Sequence, residues 1–471
     1  MSNYLRSLKE RLEARGLKGQ IFAVTSQGGF VDLEQLAERP ILALNSGPSM
    51  APVSGKFYAE LEGVEMAIIT DAGGTTYDVS LVRDGVIPWS RDTWIGQPYQ
   101  GDLTGFASVD VKSIGAGGGS IASVNSSGLL SVGPNSAGSI PGPVCYSRGG
   151  TQPTVTDAAL MLGYIDPAYF LGGDMLLAHE VTHEALEKNV ATPLGLSVDA
   201  ASLAILDLAT EQMVNAIEDI TVKQGIDPED TVIIAGGGAS GLNTVQIAKR
   251  LRCARVIVPD VGATLSAAGA MMSDMTFEFV KTEMMNTTNF DRVRAEAAID
   301  LLTSQAEAFF DRADGNQSNN SINFSFEGRY PGQVWEIDVP LKYTRFSSSN
   351  TVKKLVDDFH ARHKELFSFR DDGDAVEIMS FRALARCQVS NKSKIYLARN
   401  DKVATSETKR PMVFPGVGAV DAIAYRLEVL ESDAIVEGPA VIESSFTTIV
   451  LPPGSHARKR PAGHIVITVD G

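Results

Sequence analysis

Leu5, Leu8 and Leu12 recur at helical spacing with charged residues between them, and Gly16 ends the run. That pattern predicts a short amphipathic helix over residues 3–16. Short apolar runs at Gln20–Val24, Ile41–Leu44 and Met66–Thr70 read as strands, the second followed by the turn-like NSGPSM (45–50). After DAGGTT (71–76), Tyr77, Val79 and Leu81 alternate with Asp78, Ser80 and Val82, which predicts a strand closed by the Arg83-Asp84-Gly85 turn. A long helix is expected over Val198–Gln224, with Ser197 or Asp199 as its cap. Leu206, Met213, Ile217 and Ile220 form its apolar stripe, and Gly225 ends it. A buried strand at Thr231–Ala235, three glycines (236–238) and a helix over Leu242–Leu251 follow. ATLSAAGAMM (263–272) reads as a helix of small residues that lets backbones approach closely.

From about residue 276 the texture changes. A helix at Phe290–Arg312 leads through the polar GNQSNNS into strand-like runs at Ile322–Phe326, Trp335–Pro340, Val376–Val389 and Ile465–Val469. The expected organisation is an N-terminal helix and linker (1–50), an α/β lobe with a Gly/Ser/Pro-rich insertion (51–275), and an α+β C-terminal domain (276–471).

A chain of 471 residues is long enough for two to four domains. Its formal net charge of −16, with Arg458-Lys459-Arg460 the one short basic run, argues against a nucleic-acid partner. No apolar run reaches the roughly 18 residues of a membrane span, and the N-terminus lacks the apolar core of a secretory signal. A cytoplasmic location is therefore expected. Cys145, Cys253 and Cys387 are far apart and odd in number, which supports neither a disulfide framework nor a thiolate metal site.

The chemistry concentrates at DAGGTTYDVS (71–80). A strand ending in Asp71, a turn through Gly73 and Gly74, and a return strand opening with Thr75 and Thr76 would set backbone N–H groups and two hydroxyls around a small anion. Asp71 would then hold Mg²⁺ or orient a water, with Asp78 as a second carboxylate on the metal or in the hairpin. The plain alternative is a tight hairpin whose glycines serve only the turn. TVIIAGGGASG (231–241) adds a strand emptying into Gly236, Gly237 and Gly238 and then a helix, a geometry that admits a purine or its phosphates to bare backbone. SIGAGGGS (113–120), with Gly117, Gly118 and Gly119, is a third candidate, in which Ser113 or Ser120 would touch phosphate or substrate; a flexible connector is the alternative.

In this order the segments resemble the phosphate-2, adenosine and connect elements of the actin/Hsp70/sugar-kinase fold, although Hsp70 hairpins carry a third glycine where this chain has Thr75. SIGAGGGSIASV (113–124), the block 128–167, GRYPGQVWEIDVP (328–340) and EGPAVIES (437–444) are similar to the hydantoinase A / 5-oxoprolinase family, which includes subunits of acetone- and acetophenone-type carboxylases. The resemblance implies an actin/Hsp70-like (ribonuclease H-like) ATPase lobe followed by the α+β domain. It implies ATP and Mg²⁺ as cofactors, activation of an amide or enolate oxygen by phosphorylation, and a hydantoinase B-type partner. Family members open with a first actin-like lobe, and this sequence resembles them from the inter-lobe linker onward. The expectation is that a separate subunit carries that lobe. A ketone carboxylase and a non-catalytic Hsp70-like scaffold remain as alternatives to a cyclic-amide hydrolase.

Three other features compete. HEVTH (179–183) matches the H-E-x-x-H zinc pattern without a nearby third ligand, so a solvated helix face is expected. His360 and His363 in FHARHKELF stand one helical turn apart, as structural residues or as ligands. Cys145, in a Gly/Pro-rich loop, is read as a packing residue rather than a nucleophile.

Overall fold

The computed structural model describes residues 1–91, 94–95, 100–312, 320–388 and 407–470. Most of the GNQSNNS break and the end of the Val376–Val389 run lie outside the described residues. The chain divides into two compact units, one from Asn45–Met272 with the described part of Ser393–Gly471, the other from Met1–Leu44 with the described part of Ser273–Lys392.

The first of these units is built on an eight-stranded mixed sheet. Its strands are β1 (Ala67–Ala72), β2 (Tyr77–Val82), β3 (Val111–Ile114), β4 (Val232–Gly236), β5 (Arg255–Val258), β6 (Ile435–Glu437), β7 (Ser455–Lys459) and β8 (Ile465–Val469), in the order β6-β7-β8-β5-β4-β1-β2-β3. β4 runs parallel to both β1 and β5 and is buried along its whole length, as a central strand covered on both faces must be. Helix Val198–Gln224 lies over one face; the Ser197 hydroxyl caps it by accepting the Ala200 N–H, and Gly225 closes it at φ +65°. On the other face pack helices Ala51–Leu61 and Leu265–Met272, where a Cβ at Gly269 would stand 1.9 Å from the Met50 carbonyl oxygen. That distance explains the small residues in ATLSAAGAMM. No single helix among the described residues is long and apolar enough to cross a membrane.

Two expectations fail here. The C-terminal segment does not complete a contiguous 276–471 domain, because β6, β7 and β8 return to this sheet and β8 pairs antiparallel with β5. Ile465 and Ile467 are thereby buried beside Val256 and Val258 in one core, and the edge of β5 is covered. Ile41–Leu44 is not a strand either: Pro40 opens a 3₁₀ turn over Pro40–Ala43.

The second unit carries a six-stranded sheet in the order Phe22–Val24, Phe30–Asp32, Met275–Asn286, Glu377–Cys387, Asn320–Arg329, Ile337–Pro340. The N-terminal segment is thus part of this unit and not a bare linker, since Phe30 pairs with Met275. Helices Arg292–Arg312 and Ser349–Phe367 contribute to a core containing Phe326, Phe346, Phe359 and Phe381.

Candidate functional site

The β1–β2 hairpin pairs Asp71 directly with Asp78, so both carboxylates lie on one face of the hairpin, one residue pair behind Ala72 and Tyr77. Burial and the nearby Asp78 charge push the Asp71 carboxyl up to about 6, against the pull of the Ser266 hydroxyl, which donates to its Oδ2 at 3.1 Å. Burial also raises Asp78, and its Oδ1 is enclosed without a hydrogen-bond partner. Two crowded carboxylates with a spare oxygen are a donor set that suits a hard divalent cation. No group of three or more potential metal-ligating side chains occurs among the described residues.

At the tip, Gly73 N–H bonds the Thr76 carbonyl (3.0 Å), while the N–H groups of Gly74, Thr75 and Thr76 donate to no acceptor among the described residues. All three residues are exposed. A Cβ on Gly74 would meet nothing within 4 Å. These are the free donors that an anion needs.

The other glycine segments are brought to the hairpin but use their glycines differently. Gly118 and Gly119 donate to the carbonyls of Gly73 (3.1 Å) and Gly74 (2.7 Å), and Ala239 donates to Ala72 (3.0 Å). A Cβ on Gly117 would sit 2.7 Å from the Gly73 oxygen, and one on Gly237, at φ +89°, 2.2 Å from that of Ala72. Gly236 is closed instead by the Leu265 side chain. Gly117 and Gly237 are therefore needed where main chain packs on main chain, and Gly236 where a side chain packs on the strand end. Ser120 turns back onto its own loop, accepting the Gly117 N–H, and Ser113 bonds Asp78.

Around this junction opens a cavity. Gly73, Gly74, Gly118, Gly119 and Gly238 all line it; Thr75, Thr76, Gly117, Gly236 and Gly237 do not. Two further wall segments are not evident from the sequence: residues 165–171, and the loop 443–448. The loop is fixed by Ser444 Oγ, which accepts the N–H groups of Phe446 and Thr447, and by Thr447 Oγ1, which donates to the Gly238 carbonyl at 3.1 Å. Beneath it Glu443, with a side chain 2% exposed, is clasped by Arg410 and Arg426, and Arg426 also bonds Asp166 at 3.0 Å. A carboxylate closing the otherwise apolar strand Ala440–Glu443 is the one sequence signal that a buried ion pair awaited it.

The competing features resolve as structure. His179 and His183 sit exposed on helix His179–Leu186. In the other unit, His360 Nδ1 and the Tyr330 hydroxyl share a hydrogen bond (2.6 Å) and His363 contacts Gln333 and the Phe369 carbonyl, so FHARHK anchors GRYPGQ. Cys145 is fully buried, and burial and Asp157 push its thiol far above the ordinary range.

Residues 1–279 match the hydantoinase/oxoprolinase family and residues 292–459 the hydantoinase/oxoprolinase C-terminal domain. The chain is 33% identical to caprolactamase subunit alpha of Pseudomonas jessenii over 99% of its own length and 67% of that protein's. It is 29% identical to the acetophenone carboxylase gamma subunit of Aromatoleum aromaticum, over 96% of this chain and 63% of the relative. The crystal structure of ATP-dependent caprolactamase from Pseudomonas jessenii superposes with a TM-score of 0.82 at 31% identity, covering 99% of this chain and 68% of that one. The chain thus spans about two thirds of the length of these relatives. With a family match over both halves of the sequence and a shared mixed α/β fold, the chain belongs to the hydantoinase/oxoprolinase family.

Proposed function

We propose that this chain forms one wall of the ATP site in an enzyme that activates a cyclic amide by phosphorylation for ring-opening hydrolysis, and that its sheet and hairpin constitute an actin/Hsp70-like ATPase lobe. The observation that carries the reading is the convergence of three glycine segments on one cavity, beside a hairpin tip with free N–H donors and a pair of half-buried carboxylates. In this reading Gly74, Thr75 and Thr76 grip the terminal phosphates through backbone N–H groups. Gly118, Gly119 and Gly238 border the nucleotide, while Gly117, Gly236 and Gly237 shape the loops that hold it. Asp71 and Asp78 would hold Mg²⁺, which when bound neutralises phosphate charge. Asp71, with its raised affinity for a proton, also orients the attacking group.

In this reading a facing lobe supplies the charge opposite the phosphates, and a hydantoinase B-type subunit completes the enzyme. The subunit designations of the relatives support such an assembly. A cyclic amide is preferred over a ketone because the 33%-identical relative is a caprolactamase. The test is to purify the chain with its co-purifying proteins and measure ATP hydrolysis. Stimulation by a lactam, hydantoin or 5-oxoproline without bicarbonate is expected. Strict dependence on bicarbonate and a ketone would replace the substrate half of the proposal, and absence of ATP turnover with either would remove both halves.

A further inference from the structure

The cavity wall contains a strained backbone turn. Leu171 sits in the left-handed region (φ 53°, ψ 41°), followed by Gly172 and Gly173 at φ 70° and 94°. A leucine is disfavoured there and persists only where its surroundings hold it. The turn is held by Gly172 N–H on the Tyr169 carbonyl (3.1 Å) and by close approach to the 443–448 loop, since a Cβ on Gly172 would stand 3.0 Å from that of Ser445. The side chain so displayed is 48% exposed, yet it lines the cavity; so does Phe446, 59% exposed. Also in the lining, Tyr169 is held by the Arg426 guanidinium 3.4 Å from its ring centroid, and Arg426 is itself fixed by Glu443 and Asp166.

Two exposed apolar side chains on fixed supports, in a cavity also lined by Gly74 at the hairpin tip, match a ligand with a charged tail and a flat ring. A nucleoside triphosphate whose phosphates lie on the hairpin has its ribose and base left to fill the same cavity. We propose that Leu171 and Phe446 clasp the purine ring of the nucleotide, and that the left-handed turn Leu171–Gly173 makes this site selective for a base rather than for phosphate alone. This rests on the ATP reading above.

The experiment is isothermal titration of the purified enzyme, with its associated subunits, using Mg-ATP and magnesium tripolyphosphate, for wild type, Phe446→Ala and Leu171→Gly. Glycine relieves the backbone strain at 171, so that variant keeps its fold. Base stacking of ordinary strength predicts ATP affinity about tenfold weaker in each variant, with tripolyphosphate affinity unchanged. In parallel, 8-azido-ATP should label peptides containing Leu171 or Phe446, and ATP should compete. Unchanged ATP affinity in both variants, equal loss of ATP and tripolyphosphate, or competable labelling elsewhere overturns the clasp while leaving the ATP site standing. Failure of wild type to bind either nucleotide or to be labelled removes the ATP reading and the clasp together.

Discussion

Replacing Asp71 by Asn should stabilise the nucleotide-free protein while abolishing turnover. The Asp71 carboxyl ionises at 3.8 in an unfolded chain but holds its proton to about 6 in the fold, because burial and Asp78 oppose its charge. Between those values the folded state binds more protons than the unfolded state, so stability falls as pH rises through that window and stays lowered above it. At about 1.4 kcal/mol per pH unit, the penalty above pH 6 approaches roughly 3 kcal/mol. Asn carries no charge, keeps an oxygen for the Ser266 hydroxyl and relieves the repulsion on Asp78, so most of that penalty should be recovered. The assay is urea unfolding of wild type and Asp71→Asn without nucleotide or divalent cation at several pH values between 4 and 8. The stability advantage of Asn should grow to about 2–3 kcal/mol by pH 6–7 and then level off, while ATP turnover falls by about a hundredfold or more. Asn at or below wild-type stability at pH 7, or unchanged turnover, would refute the electrostatic argument. Unchanged turnover would also favour the non-catalytic scaffold.

Further outcomes follow from the same geometry. Gly237→Ala, whose Cβ would collide with the Ala72 carbonyl at φ +89°, should lower stability by about 2–4 kcal/mol in chemical denaturation. Gly74→Ala, with open space around it, should unfold like wild type but bind Mg-ATP more weakly. Arg426→Ala leaves Glu443 and Asp166 short of their partner and should cost about 3–5 kcal/mol by the same measurement. Native protein treated with iodoacetamide at pH 7.5 should show no carbamidomethylation at Cys145, whose buried thiol is held protonated beside Asp157, whereas urea-unfolded protein should react there; mass spectrometry reads both.

What the sequence disclosed was local. Alternation through Tyr77–Leu81, the Ser197 and Gly225 boundaries of the long helix and the strand into Gly236 each depend on a few neighbouring residues, and the structure contains all of them. What it concealed depends on partners far along the chain. Ile465–Val469 reads as a strand, but nothing in its alternation says that it will lie beside Arg255–Val258. Arg410 meets the Tyr164 carbonyl and Glu443 only after the chain has folded. Glycine is ambiguous for a physical reason: Gly74 and Gly117 stand in similar Gly-rich loops, yet one faces open space and the other a backbone carbonyl. The Leu171 turn escapes notice because leucine carries no preference for the left-handed region it occupies.

The most direct test is the structure of the assembled enzyme with Mg²⁺ and a non-hydrolysable ATP analogue. The terminal phosphates are predicted within hydrogen-bonding distance of the Gly74, Thr75 and Thr76 N–H groups, with the cation beside Asp71 and Asp78. A nucleotide bound in full away from this hairpin, with the 73–76 turn still open to solvent, would contradict the account.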